Sequence, residues 1–374
     1  MNTITTYNFK HILSNFDIDV DLSTIKTYGS GHINDTFFVK NTLRKEPDYL
    51  LQKINDYVFK DVAGLMKNIE LVIKHLKQKT LFATDADKNV LTLVNCKNGQ
   101  TYFKDEDGNH WRVFYFLSNT RSYDSITTPQ QAQQGGMAFG RFQSLLSDLD
   151  PTLLIQTIPN FLNIEKRLND FHLAIENDSA GRVIEVTAEI YFLLERAEGM
   201  IEILQLGKTG ILPLRITHND TKFNNVLLDQ EDHFQCVIDL DTVMPGYVAY
   251  DFGDAIRTII NKGAEDEPDL NKIQLNIPLF EAFTQGYLSE TNSFLTGQEV
   301  KSLIKGVLLL PYMQAVRFLT DYLQGDIYYK VHSTSHNLQR TRAQIQLVKM
   351  LEKNSCGLQD IIEKEWETKF DSKF

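Results

Sequence analysis

Arg215-Ile216-Thr217-His218-Asn219-Asp220-Thr221-Lys222-Phe223-Asn224-Asn225, then Val237-Ile238-Asp239-Leu240-Asp241, then Tyr250-Asp251-Phe252-Gly253-Asp254: the reading of this stretch decides the fold of the 374-residue chain. Leu214 and Ile216 make a short apolar approach to a polar turn, so the Asp220 carboxylate is expected at a strand end, pointing into a cleft. An acceptor of a hydroxyl proton belongs there. Asn225 closes the same loop ahead of the apolar run Val226-Leu227-Leu228 and offers an amide oxygen to a hard cation. Asp239 follows Cys236-Val237-Ile238 out of a buried strand, where a carboxylate is costly unless paired or coordinated. Asp239 is therefore the expected main metal ligand, with Asn225 beside it. Singly, an Asp after a strand is commonly a turn former and an Asn-Asn pair a loop. Together they read His-x-Asp-x-x-x-x-Asn, then a strand ending in Ile-Asp, then Tyr-Asp-Phe-Gly-Asp, which points to metal-assisted phosphoryl transfer.

Two neighbours read as support. His218 is expected to brace the loop through backbone hydrogen bonds. Asp251 precedes a predicted helix over Phe252 to Ile260, as a plain N-cap or as a group that holds the catalytic loop.

This block resembles the aminoglycoside phosphotransferase and choline kinase superfamily and, within it, the N-acetylhexosamine 1-kinases. The supporting segments run from end to end: Tyr28-Gly29-Ser30-Gly31-His32-Ile33-Asn34-Asp35-Thr36, Leu51-Gln52-Lys53-Ile54-Asn55, Ile238-Asp239-Leu240-Asp241-Thr242-Val243-Met244-Pro245-Gly246 and Arg317-Phe318-Leu319-Thr320-Asp321-Tyr322-Leu323-Gln324-Gly325-Asp326. The resemblance implies an α+β, protein-kinase-like fold with a small β-rich N-lobe and a larger, mainly helical C-lobe. It implies ATP bound with Mg²⁺ between the lobes and transfer of the γ-phosphoryl group to a sugar hydroxyl, the anomeric one of an N-acetylhexosamine. Asp220 would then be the base, Asn225 and Asp239 the metal ligands, and Asp241 a second metal or sugar contact. Arg317 and His32 would bind the sugar, with His336, Asn337, Arg340, Trp111, Arg112 and Tyr115 as further contacts. The alternatives are a kinase of the same fold acting on choline, homoserine or an aminoglycoside, and a non-catalytic nucleotide-binding protein.

Residues 1–117 read as the N-lobe, 118–128 as a polar interlobe hinge and 129–374 as the C-lobe. In the N-lobe, Ile4 to Phe16 is expected to be a short amphipathic helix. Strands are expected around a turn at Gly29-Ser30-Gly31, where glycine lets backbone N–H groups approach a polyphosphate. From Val58 to Lys79 the apolar residues recur at helical spacing. The C-lobe is mostly helical pattern, including one helix over Val183 to Leu206. The kinase-like fold expects a cation on the third strand, braced by a helix Glu. Here that position holds Gln52, with Lys53 on the opposite face by strand alternation. Either the register shifts and Lys53 serves, or Gln52 binds phosphate without charge; Glu70 is the candidate brace. Gly207-Lys208-Thr209 imitates the end of a P-loop, but residue 202 is Glu, so Gly207 reads as a helix C-cap. Without the resemblance, Arg317 and Asp321 read as an (i, i+4) ion pair on a solvated face.

Composition narrows the partners. A net charge of −11 argues against a nucleic-acid ligand, which needs basic patches. No apolar run reads as a membrane span, and Met1 to Lys10 lacks a basic region followed by an apolar core. Cys96, Cys236 and Cys356 form no disulfide framework, which fits a reduced cytoplasm. Glu265-Asp266-Glu267 reads as a solvated loop. The expected partners are ATP and a small sugar, with the chain monomeric.

Overall fold

The computed structural model describes residues 7–29, 33–43, 45–81 and 90–371. Its first lobe combines α1 (Phe9–Ser14), strands β1 (Val20–Thr27), β2 (Asp35–Asn41) and β3 (Tyr49–Ile54), helix α2 (Val62–Thr80), and strands β4 (Leu93–Val94), β5 (Phe103–Lys104) and β6 (His110–Tyr115). The six strands form one antiparallel sheet in the order β1-β2-β3-β6-β4, with β5 also paired to β6.

Strand alternation gives the sheet two unlike faces. Phe37, Val39, Leu51, Trp111 and Val113 pack on Ile12, Leu13 and Phe16 of α1 and its C-terminal end. On the other face, Ile54 and Phe114 pack on α2, and this core continues into the second lobe through Phe142, Leu146, Ile216, Leu240 and Val243. The lobes therefore share buried apolar surface. Asn68, buried on α2, ties them further: its side chain donates to the Ile155 and Val243 carbonyls and accepts from the Ile155 N–H.

The second lobe contains α3 (Pro129–Leu145), α4 (Ile164–Asn177), α5 (Thr187–Met200), α6 (Glu202–Lys208), β7 (Arg215–Thr217), β8 (Val226–Leu228), β9 (Phe234–Val237), β10 (Met244–Gly246), α7 (Val248–Ile259), α8 (Ile277–Thr291), α9 (Gly297–Leu323) and α10 (His336–Asp371). Two antiparallel ribbons, β7 with β10 and β8 with β9, carry the catalytic stretch. The fold is thus the expected kinase-like arrangement of an antiparallel N-terminal sheet and a helical C-terminal region. The polar connection after β6 is tethered by a bridge between Arg121 and Leu228 and by the Arg121–Asp232 ion pair at 2.9 Å.

Two close contacts hold the catalytic elements. Arg215 at the start of β7 pairs with buried Glu299 at 2.9 Å, and Glu299 also completes a capping box with Thr296 at the start of α9. Helix α7 lies directly on α9, where a Cβ added at Gly306 would fall 1.9 Å from the Ala249 carbonyl oxygen. Only glycine permits that approach.

Several local expectations change. The first helix begins at Phe9, and residues 1–6 lie outside the described part. Val183 to Leu206 is a 3₁₀ turn at Val183–Val186 followed by α5 and α6. Gly207 lies inside α6 rather than capping it, because a side chain there would strike the Tyr247 ring; Gly210 takes the positive φ, +77°. Helix α9 is long and apolar enough to cross a membrane by length and composition, contrary to the sequence reading, yet 67% of that window is buried inside the protein. It packs on α10, α7 and α4 as the central core helix.

Candidate active site

The catalytic loop leaves β7 at Thr217 and returns through a 3₁₀ turn at Phe223–Asn225 into β8. Its shape is imposed by Asp251. Helix α7 starts four residues before the predicted position, so Asp251 sits within its first turn and is not its cap. The Asp251 carboxylate instead accepts from the backbone N–H groups of His218 (2.8 Å) and Asn219 (2.7 Å) and from Gln143 Nε2 (2.7 Å). Thr221 Oγ1 donates to the Asp251 carbonyl at 2.6 Å. Burial pushes the Asp251 carboxyl upward from its ordinary range, and the charge of His218 with the backbone hydrogen bonds opposes that.

His218 braces the loop as expected. Fully buried, it places Nε2 2.9 Å from the Ile238 carbonyl and meets Phe139 and Phe142 edge-on. Asn219 turns the chain with φ +62° and donates to the Thr217 and Thr242 carbonyls. The next residue, Asp220, is left half-buried with its carboxylate free of the backbone.

Asp220 Oδ1 pairs with Lys222 Nζ at 2.9 Å, and Asn225 Nδ2 donates to the Asp220 carbonyl (2.8 Å) and toward Oδ2 (3.4 Å). Burial alone would raise this carboxyl; the Lys222 charge and hydrogen bond, with His218 and Arg257, hold it below its ordinary range. Lys222 is a functional candidate that the sequence reading passed over, though Asp-x-Lys was legible. Because the pair keeps Asp220 ionised, Lys222→Met is expected to raise the Asp220 pKa. The acid limb of a pH–rate profile then moves to higher pH, and an unmoved limb would separate Lys222 from the base.

The Asn225 amide is oriented by its two Nδ2 bonds, which leaves Oδ1 with no hydrogen-bond donor among the described residues. Asp239 stands on a left-handed backbone (φ +60°, ψ +62°), is exposed rather than buried as its strand led one to expect, and has neither a hydrogen-bond nor an ion-pair partner among the described residues. Desolvation by the surrounding protein and the charges of Asp241 and Asp220 push its carboxyl up to about 7. An unpartnered carboxylate beside another carboxylate and a free amide oxygen is the donor set a hard cation takes. Among the described residues no three His, Cys, Asp or Glu side chains could hold a metal by themselves.

The remaining candidates are more scattered. Asp241 is not free for metal or sugar: Arg112 binds it through Nη1 (2.5 Å) and Nη2 (2.9 Å), and Asn34 Nδ2 donates to it at 2.7 Å. Arg112 is therefore not an acceptor contact, and Trp111 is fully buried with Nε1 donating to Asp105. The register of β3 does not shift, so Lys53 stays on the α1 side of the sheet, where it donates to Tyr7 Oη at 3.3 Å. Gln52 remains on the cleft side, bonded to Thr36 Oγ1 and Arg112 Nε. Glu70 is exposed and accepts from Thr101, so it braces neither residue; the inward position on α2 belongs to Asn68. Gly29 has the positive φ of +78° that the turn requires, while Ser30, Gly31 and His32 lie outside the described residues.

Arg317 and Asp321 do not pair. Asp321 accepts from the Tyr328 and Tyr329 N–H groups and from Asn337. The Arg317 guanidinium instead lies 5.6 Å from the Tyr329 ring and 5.8 Å from that of Phe161, and Arg340 lies 6.0 Å from Tyr329. Arg167 completes the group: it donates to the Phe161 carbonyl, and burial with the neighbouring Arg317 charge lowers its pKa. Among the described residues none of these three arginines pairs with a carboxylate. The acidic run 265–267 is not merely solvated, since Glu265 pairs with Arg257 at 2.7 Å and Asp266 with His336 at 3.1 Å. Arg257, held also by Asp254, thus ties this region to α7, and its charge acts on Asp220.

Comparison with solved structures agrees with this architecture. The chain is similar to an aminoglycoside phosphotransferase from Alicyclobacillus acidocaldarius (TM-score 0.61, 11% identity, covering 95% of this chain and 96% of that one). It is similar to an amicoumacin kinase in complex with AMP-PNP and Ca²⁺ (0.60, 14%, 91% and 93%), and to a choline kinase from Cryptosporidium parvum (0.54, 16%, 95% and 98%). Family pattern and fold together indicate a small-molecule phosphotransferase of the kinase-like type. With residues 24–286 matching its sequence pattern, the chain belongs to the phosphotransferase enzyme family.

Proposed function

We infer that this phosphotransferase uses ATP with Mg²⁺ and phosphorylates the anomeric hydroxyl of an N-acetylhexosamine, giving the sugar 1-phosphate. The observation that carries the reaction is a lysine-paired Asp220 beside an oriented Asn225 amide, with an unpartnered Asp239 near enough for the Asp220 charge to act on it. Asp220, kept ionised, accepts a hydrogen bond from the incoming hydroxyl and takes its proton as the new P–O bond forms and the bond from the γ-phosphorus to the bridging oxygen breaks, releasing ADP. Asn225 and Asp239 would hold Mg²⁺, whose chemistry when bound is to neutralise charge across the nucleotide phosphates. Lys222 offers a second positive charge beside the base. Positioning and electrostatics supply the rate, since the protein has no covalent step to perform.

The acceptor reading rests on the sequence resemblance and on the three arginines around Tyr329. Unpaired guanidinium groups repel cationic acceptors such as choline or an aminoglycoside, and they donate to neutral hydroxyl and acetamido oxygens. A panel of N-acetylglucosamine, N-acetylgalactosamine, choline, homoserine and an aminoglycoside, scored by ADP release with NMR of the product, tests it. Turnover is expected with the sugars and a phosphorylated anomeric carbon. Turnover confined to a cationic acceptor would overturn the sugar assignment while leaving the phosphotransferase intact.

A further inference from the structure

We propose that Arg112 is the cation that receives the α- and β-phosphates of the nucleotide, with Gln52 and Asp241 as its positioning residues. This rests on the nucleotide reading above. The charge absent from the third strand would then be supplied by its neighbour, β6.

The sheet register places the candidate. Gln52 on β3 is the direct partner of Arg112 on β6, and Thr36 on β2 is the partner of Gln52, so the three share the face turned toward α2 and the second lobe. Lys53 cannot reach that face, and its partner Trp111 lies with it on the α1 side. Arg112 is thus the one cation that β3 and β6 direct inward.

Its orientation is fixed by three bonds. Nε donates to Gln52 Oε1 at 2.9 Å, while Nη1 and Nη2 form a two-point contact with Asp241, two residues beyond Asp239. Of the five guanidinium N–H groups, two therefore remain for a ligand. The glutamine at position 52 also finds its reason here. A lysine there would set two cations side by side, whereas the amide oxygen orients the guanidinium and Nε2 returns to Thr36 Oγ1 at 3.1 Å.

Stability alone does not account for the arrangement. Arg112 is 1% and Asp241 2% exposed, and burying such a pair generally gains little over an apolar pair of the same volume. Asp239 and Asp220 add negative charge to the same cleft, and a polyphosphate adds more. A fixed guanidinium whose two remaining N–H groups, one on each Nη, each donate to a phosphate oxygen meets that requirement from the N-lobe side.

Calorimetric binding of MgATP and of adenosine to the full chain separates phosphate recognition from a merely structural ion pair. Arg112→Gln is expected to weaken MgATP about 30-fold while adenosine stays within about twofold. Gln52→Lys combined with Arg112→Gln, which returns the cation to the third strand, is expected to recover most of the loss. Arg112→Gln with Asp241→Asn removes both charges and gives the same readout if the single variant is poorly folded. Equal losses for MgATP and adenosine, or unchanged MgATP affinity in a folded variant, would overturn the proposal. Wild-type protein that fails to bind MgATP would overturn the nucleotide reading itself.

Discussion

Asp220→Asn is expected to lower kcat by about 10²–10⁴-fold, the range of a lost general base, with MgATP affinity within a few-fold of wild type. The substitution keeps the shape of the side chain and its place beside Asn225, so it removes proton acceptance and the charge paired with Lys222 and little else. ADP release measured at saturating acceptor reads kcat, and calorimetry reads the nucleotide. Turnover within tenfold of wild type would remove Asp220 from the role of base. A large rise in Kd for MgATP with kcat preserved would assign it to nucleotide binding instead.

Asp251→Ala is expected to cost roughly 3–5 kcal/mol of stability and about 10²-fold in kcat, through displacement of the catalytic group. The carboxylate is 1% exposed and satisfies two backbone N–H groups of the catalytic loop together with the buried Gln143 amide. Alanine leaves all three donors unpaired in a space that water does not reach. Thermal unfolding measures the first effect and steady-state kinetics the second. A variant of wild-type stability and rate would mean that the loop is shaped by Asn219 and Thr242 without it.

How much of this was legible beforehand depended on the range of the interaction. Asp220, Asn225 and Asp239 were singled out by spacing within one loop and one ribbon, because short connections keep them near one another. The bracing role of His218 was also readable, since a histidine that close to the candidate base has backbone in reach. Asp251 was half-legible: its support of the loop was anticipated, but the helix start was misplaced. Val248-Ala249-Tyr250 can continue a strand or begin a helix, and only packing against α9 settles which.

The misses share one cause. Glu70 is a reasonable brace by position along α2, yet the helix is rotated so that Asn68 points inward and Glu70 meets water. Arg317 and Asp321 have ideal spacing for an ion pair, and both are claimed by partners from the loop after α9. The Glu265-Asp266-Glu267 run looked like solvent-facing charge because Arg257 and His336, which bond to its first two members, are 8 and 70 residues from their partners.

From the chain alone, alternation and helical periodicity determined the lobes, and residue type at short spacing determined the chemistry of the catalytic loop. Those are local properties, set by backbone geometry over one strand, turn or helix. The partner of each charge was decided only in three dimensions: Arg112 with Asp241 across 129 residues, and Lys53 with Tyr7 rather than with phosphate. Charges interact over a few ångströms of space regardless of their separation in sequence, so their pairing follows from register between strands and rotation of helices, which no single segment encodes.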